Sequence, residues 1–198
     1  MGNGIGTVST IDIFFHVRML LGIITGLSTA RLLTGLARPV QHGDWKTVGY
    51  VHTAWAIYLL LTIVHFWWFE FGLSKVETWT FGLYFFVLGY GILLFFTCTI
   101  LFPDHMDRYI DQEEYFFSRK TWFYALLAAI FVVDVGDSAF KGHGHLQALG
   151  MEYFVRQTMM ITLSLIAIFV RWRPYYAAFA SAGILYQVWW ALRQFYVF

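Results

Sequence analysis

Six charged residues lie inside or at the ends of long apolar runs: Arg18, Glu70, Asp134, Asp137, Arg156 and Arg193. A charge at the centre of a membrane helix costs roughly 2.5–3.5 kcal/mol on insertion scales, so each needs a partner, water or a task. Three acids and three bases permit ion pairing, proton relay or the binding of a small charged solute. Asp134 and Asp137 share one helix face by their i,i+3 spacing. Val132, Val133 and Val135 surround Asp134, and such neighbours make a bare carboxylate costly unless a base lies beside it. His65 accompanies Glu70, and His16 stands next to Arg18.

The elements that carry these residues follow from the apolar runs. The chain has 198 residues, 59% hydrophobic and 13% charged, with a mean hydropathy of +0.61. A soluble domain carries about 25% charged residues, so the composition is that of a membrane protein. Continuous runs of about 20 apolar residues predict spanning helices at 11–37, 47–71, 79–102, 121–140, 152–171 and 175–197. The fold class predicted is all-α, a six-helix transmembrane bundle forming one domain, 1–198. Six crossings put both termini on one side. Every tryptophan except Trp55 falls at or near a predicted helix end, as an aromatic belt requires.

Counting the helices turns the six charges into a layer near one membrane face. Arg18 lies seven residues from its helix end, about 10 Å deep at 1.5 Å per residue, and the other five lie shallower on four further helices. The short loops of the opposite face hold Arg38, Lys46, Arg108, Arg119, Lys120, Arg171 and Arg173, against Lys75 and Lys141 on the charged face. The positive-inside rule then makes the charged face, with both termini, periplasmic. The segment 103–120, with five acids and three bases, reads as a solvated connector, with a short amphipathic helix on the membrane surface as the alternative.

Gly22, Gly26, Ala30 and Thr34 form a strip at spacing four on the first helix, suited to close helix packing inside the bundle or between copies. Thr25, Ser28, Thr29, Thr62, Thr158, Thr162 and Ser164 could extend a hydrated path inward, or bond their own i−4 carbonyls. Arg31 stands apart, placed to snorkel toward the opposite face. His16 and His65 have similar predicted depth, so a bis-histidine haem is geometrically open, although no cofactor is expected. His143 and His145 with Asp137 form a weaker candidate for a divalent ion, and no metal site is predicted. The single cysteine, Cys98, allows no intrachain disulfide. HExxH, GxSxG, P-loop and CxxC motifs are all missing, so no enzyme is predicted. The net charge of +1 argues against a nucleic-acid partner.

The stretches ARLLTGLAR (30–38), HFWWFEFGL (65–73), TWTFGLYFF (78–86) and LFPD (101–104) resemble a group of roughly 200-residue polytopic proteins of the bacterial inner membrane. That resemblance implies a free-standing helical bundle and supplies no activity, cofactor or catalytic residue. The residues themselves point to a small channel or transporter for an ion, proton or small polar solute. Arg18, His65, Glu70, Asp134, Asp137, Arg156 and Arg193 would line its outer half. A non-catalytic subunit of a larger membrane complex, or a homo-oligomer, is the alternative. A haem-bearing electron carrier is the third.

Overall fold

The computed structural model describes residues 10–43, 48–76, 78–103 and 109–195; the side chains of His42, Lys75, His143, Gln194 and Phe195 lie outside that set, as do Lys46 and Arg108. Six helices follow one another: α1 (Thr10–His42), α2 (Tyr50–Phe69), α3 (Phe81–Thr99), α4 (Gln112–Phe140), α5 (His143–Phe169) and α6 (Arg173–Phe195). A 3-10 segment, Glu70–Lys75, continues α2. Among the described residues there is no strand, so the all-α expectation holds.

Four segments are long and apolar enough to cross a membrane: Thr10–Gln41, Tyr50–Ser74, Phe81–Thr99 and Gln112–Phe140. On α5 and α6 the polar residues Gln157 and Gln187 are buried, while Val155, Phe169, Leu185 and Leu192 are exposed. Polar inside and apolar outside is the arrangement of a bundle solvated by lipid.

Helix ends depart from the sequence reading where local chemistry outweighs hydropathy. Instead of beginning at 121, α4 starts at 112, because Asp111 caps it. The Asp111 carboxylate accepts the Glu114 N–H at 2.7 Å, and Glu114 reaches back to the Ile110 N–H at 2.7 Å. Much of the expected connector is therefore helix. A break at Gly150 (φ 69°) divides α5 into a short first segment and a long one that starts close to the predicted 152. Near its end α1 runs through Pro39, whose ring would crowd the Gly35 carbonyl four residues back.

Cross-helix contacts fix an alternating up-and-down order. At one end Arg18 of α1 lies over Phe71 after α2, His16 stacks on Tyr84 of α3, and Arg193 of α6 binds Glu152 of α5. At the other end Arg31 of α1 meets Phe102 after α3, and Lys120 of α4 meets Val170 after α5. The start of α1 and the end of α6 therefore both sit at the first, charged end.

The central helix is α2, packed against α1, α3, α4 and α6. Its Trp55 is fully buried among Tyr58, Phe123, Tyr124 and Phe179, with ring centroids 5.0–5.5 Å apart in edge-to-face geometry. This cluster fills the half of the bundle opposite the charges. A second apolar cluster, around Leu21, Phe66, Val87, Tyr90 and Ile130, fills the space between α1, α3 and the end of α2.

Where helices end in a lipid-like environment their last carbonyls need donors. Arg31 donates to the Phe102 carbonyl at 2.6 Å and Arg38 to that of Pro103 at 3.1 Å. Buried His52 bonds the Leu101 carbonyl at 2.7 Å, and Lys120 donates to the Val170 carbonyl at 2.5 Å. Arg31 is thus a clasp on the end of α3. The close approach of α1 to α3 requires Gly35, where a Cβ would fall 2.3 Å from the Phe102 ring.

Gly35→Ala should therefore destabilise the bundle, whereas Gly26→Ala, with nothing within 4 Å of the new methyl, should leave it unchanged. Trp55→Ala should cost about 3–5 kcal/mol, as for other buried large-to-small changes. Reversible unfolding in mixed detergent micelles measures all three.

Candidate functional site

The charged layer closes around a small polar cavity between the two apolar clusters. About 60 Å³ in volume, the cavity is bordered by Glu70, Asp134, Asp137, Arg156, Gln187 and His65, among others. A space of that size holds a few water molecules, since one needs roughly 10–15 Å³ on the same measure. A second cavity of about 40 Å³ shares Asp134, Asp137 and Arg156 and adds Lys141, His145 and Leu149. The latter two belong to the first segment of α5, ahead of the Gly150 break, which therefore roofs the site at the charged end.

Asp134 is the hub. Its carboxylate accepts hydrogen bonds from the Tyr90 hydroxyl at 2.9 Å, the Tyr153 hydroxyl at 2.9 Å and the Gln157 amide. Arg156 approaches the same carboxylate at 3.8 Å, with its guanidinium over the rings of Tyr153 and Trp190. Residues of α3, α4 and α5 thus converge on one acid, where a cation and three donors replace the lost hydration.

Beside it lies a second acidic centre. The Lys141 ammonium binds Glu70 at 3.0 Å and also Asp137 one helical turn back. All three side chains are 2–3% exposed. Burial opposes the ammonium charge, but the Asp137 and Glu70 carboxylates outweigh that penalty and hold the Lys141 pKa above its ordinary value. Lys141 ties the end of α2 to the end of α4.

Other expected site residues stand elsewhere. Arg18 packs over Phe71 at 3.8 Å and Trp67 at 5.3 Å, beside the cavity and not on its lining. Arg193 is an exposed partner of Glu152 at 2.5 Å and stacks on Trp189. Neither belongs to the lining, because their aromatic and surface partners already satisfy them. His65 does line the cavity and bonds the Gln187 amide at 2.9 Å. His16 is exposed and stacks on Tyr84, so the two histidines face different neighbours. Among the described residues no group of three or more His, Cys, Asp and Glu is arranged to hold a metal ion.

The small-residue strip splits. Gly22 packs against Trp67, but Gly26, Ala30 and Thr34 are exposed, and the first two line an open groove with Ile63 and Val64. Of that strip only Gly22 packs closely inside the bundle; elsewhere Gly35, Gly91, Gly136 and Gly183 do so. Of the two arrangements open to the hydroxyls, Thr25 and Ser28 adopt the local one and bond their own i−4 carbonyls. Thr62 does the same while accepting from Gln187 at the cavity floor.

Sequence reasoning missed Lys141, Tyr90, Tyr153, Gln157 and Gln187. Lys141 sits one turn after Asp137, the i,i+4 spacing of an ion pair, but reads as a loop base because the apolar run stops before it. The two glutamines are amides set within apolar stretches of their helices, which is itself a signal.

Five buried polar atoms at this site have no protein partner among the described residues: Glu70 Oε2, Asp137 Oδ1, Arg156 Nε, Gln157 Oε1 and Gln187 Oε1. Six further unpartnered buried polar atoms are spread over the rest of the described bundle, but four of these five belong to residues that border the one cavity: Glu70, Asp137, Arg156 and Gln187. On the side facing the Trp55 cluster the cavity is lined by Tyr58 and Phe131.

No family model, curated protein or solved structure matches the chain, so the chemistry of the site alone indicates its role.

Lys141→Met leaves two buried carboxylates without their cation and should cost about 3–5 kcal/mol, as when one partner of a buried pair is removed. Adding Glu70→Gln and then Asp137→Asn should return part of that loss at each step. Detergent unfolding of the single, double and triple variants measures this coupling.

Proposed function

We propose that this membrane protein is a small transporter or channel that admits an ion, a proton or a small polar solute from one membrane face into an occluded vestibule. The observation that carries the reading is the cavity beside Asp134 and Arg156, lined by buried polar atoms that the protein itself leaves unpaired. A pair needed only to fix helix order would be sealed and satisfied; this one borders space for water. The aromatic plug around Trp55 favours alternating access over an open pore, because release to the far face requires that plug or its helices to move. Gly150, in a backbone region that other residues rarely adopt, is the natural flexing point for the roof. By the distribution of Lys and Arg, the vestibule opens to the periplasm of a bacterial inner membrane.

A second reading, an accessory subunit or homo-oligomer, is favoured by the outward-facing Gly26 and Ala30, which leave a groove where another helix backbone could approach closely. Gentle detergent purification tests it: a defined heterologous partner supports a subunit, and a monodisperse monomer opposes both forms.

For the transport reading, purified protein in vesicles loaded with a pH-sensitive dye and challenged with a cation and anion panel should show flux above protein-free vesicles. Asp134→Asn should lower that flux by ~tenfold or more, as expected for a functional intramembrane charge. Arg193→Gln, altering only a surface pair, should leave it unchanged. Flux no greater than in empty vesicles across the panel contradicts the proposal.

A further inference from the structure

The Glu70–Asp137–Lys141 cluster is a separate centre from Asp134, and its charges do not balance. Two carboxylates face one ammonium, and all three side chains are at least nine-tenths buried. The only other cation on the cavity lining, Arg156, is engaged with Asp134. Asp134 also draws three neutral donors, from Tyr90, Tyr153 and Gln157, so it has no positive charge to lend. One buried negative charge is left over at the cluster.

Among the described residues, the ion pairs that reach Glu70 and Asp137 are those of Lys141, and the other groups near the cluster are placed as follows. From α1, Arg18 packs over the rings of Phe71 and Trp67 and makes no ion pair with Glu70 or Asp137 among the described residues. From α2, His65 bonds Gln187, and from α3, Tyr90 bonds Asp134. On α5, Tyr153 and Arg156 both serve Asp134, while His145 borders the smaller cavity. From α6 come only the uncharged Gln187 and Trp190. An isolated carboxylate in an apolar interior is neutralised by taking a proton far more readily than it is tolerated.

Two atoms stand ready to take it. Glu70 Oε2 and Asp137 Oδ1 are buried without a partner, and both residues border the cavity that reaches Asp134. Each acid uses its other oxygen on the same Lys141 ammonium. A metal cation is disfavoured there because that ammonium already lies between the carboxylates. A proton adds its charge on a single oxygen and avoids the clash. Asp137 also lies in the last turn of α4, where the helix dipole opposes a second negative charge.

We propose that Glu70, Asp137 and Lys141 form a proton-binding site holding one proton between its two carboxyls, exchanged with water in the adjoining cavity. Loading forms an O–H bond on one carboxylate oxygen with a proton delivered by hydronium through that water, leaving neutral water behind; release hands the proton back to water as hydronium. Because the two acids interact through one lysine, the proton belongs to the pair and not to either residue. Its role as the coupling or permeant ion rests on the transport reading; the site itself does not.

Infrared spectroscopy of the purified full chain, in water and in deuterium oxide, tests the site without any flux. At neutral pH the wild type should show a deuterium-sensitive C=O band of a protonated carboxyl. That band should vanish in Glu70→Gln and equally in Asp137→Asn, since either change leaves one carboxylate matched to one lysine. It should grow in Lys141→Met, which leaves two carboxylates unmatched. No such band, a band lost only in Asp134→Asn, or a band appearing only when sodium is replaced by choline would each overturn the site. A band behaving as predicted in a protein that moves no ion would keep the site and remove the transport reading.

Discussion

The charged end of this bundle depends on balancing charge where water is scarce. One ammonium, Lys141, holds a carboxylate from the end of α2 and another from the end of α4, with all three groups buried. A charge in that setting is tolerated only with close partners, so the two helix ends are fixed relative to each other by electrostatics more than by shape. That clasp sets the turn from α4 to α5 and hence the roof, and it positions Asp134 one turn deeper beside Arg156. The same physics operates at the opposite end with the roles reversed. There the groups lacking partners are helix-end carbonyls, and Arg31, Arg38, His52 and Lys120 donate to them.

Between these two polar ends the bundle is not uniformly apolar. The cavity lies where the large Trp55 cluster meets the smaller cluster around Phe66 and Tyr90, and residues of both form its walls. Aromatic side chains enclose it, so few water molecules fit and every polar atom on the wall counts. Four residues of that wall, Glu70, Asp137, Arg156 and Gln187, carry a buried polar atom with no partner among the described residues, whereas the hydroxyls of Thr25, Ser28 and Thr62 bond their own helices.

Much of the architecture was legible in the sequence. Hydropathy places the helices because lipid demands continuous apolar length, and counting them brings the scattered charges to one face. What failed did so for local reasons. The start of α4 depends on the Asp111–Glu114 cap, which a hydropathy window cannot see. Lys141 looked like a loop base, although its i,i+4 relation to Asp137 was visible. Arg18 and Arg193 have the right depth but the wrong azimuth, and spacing alone does not reveal which neighbour a side chain meets. For the same reason the Gly26–Ala30–Thr34 strip, expected to pack helices within the bundle, faces outward.

The central claim is that water reaches Asp134 from the charged end and stops at the Trp55 cluster. Hydroxyl-radical footprinting with millisecond X-ray exposure reads it directly, because radicals form on water already beside a side chain. Tyr90 and Tyr124 are both buried tyrosines, but only the first lines the cavity. Rapid modification of Tyr90 with none at Tyr124 is the predicted result. Protection of both, or equal modification of both, would contradict a one-sided hydrated vestibule.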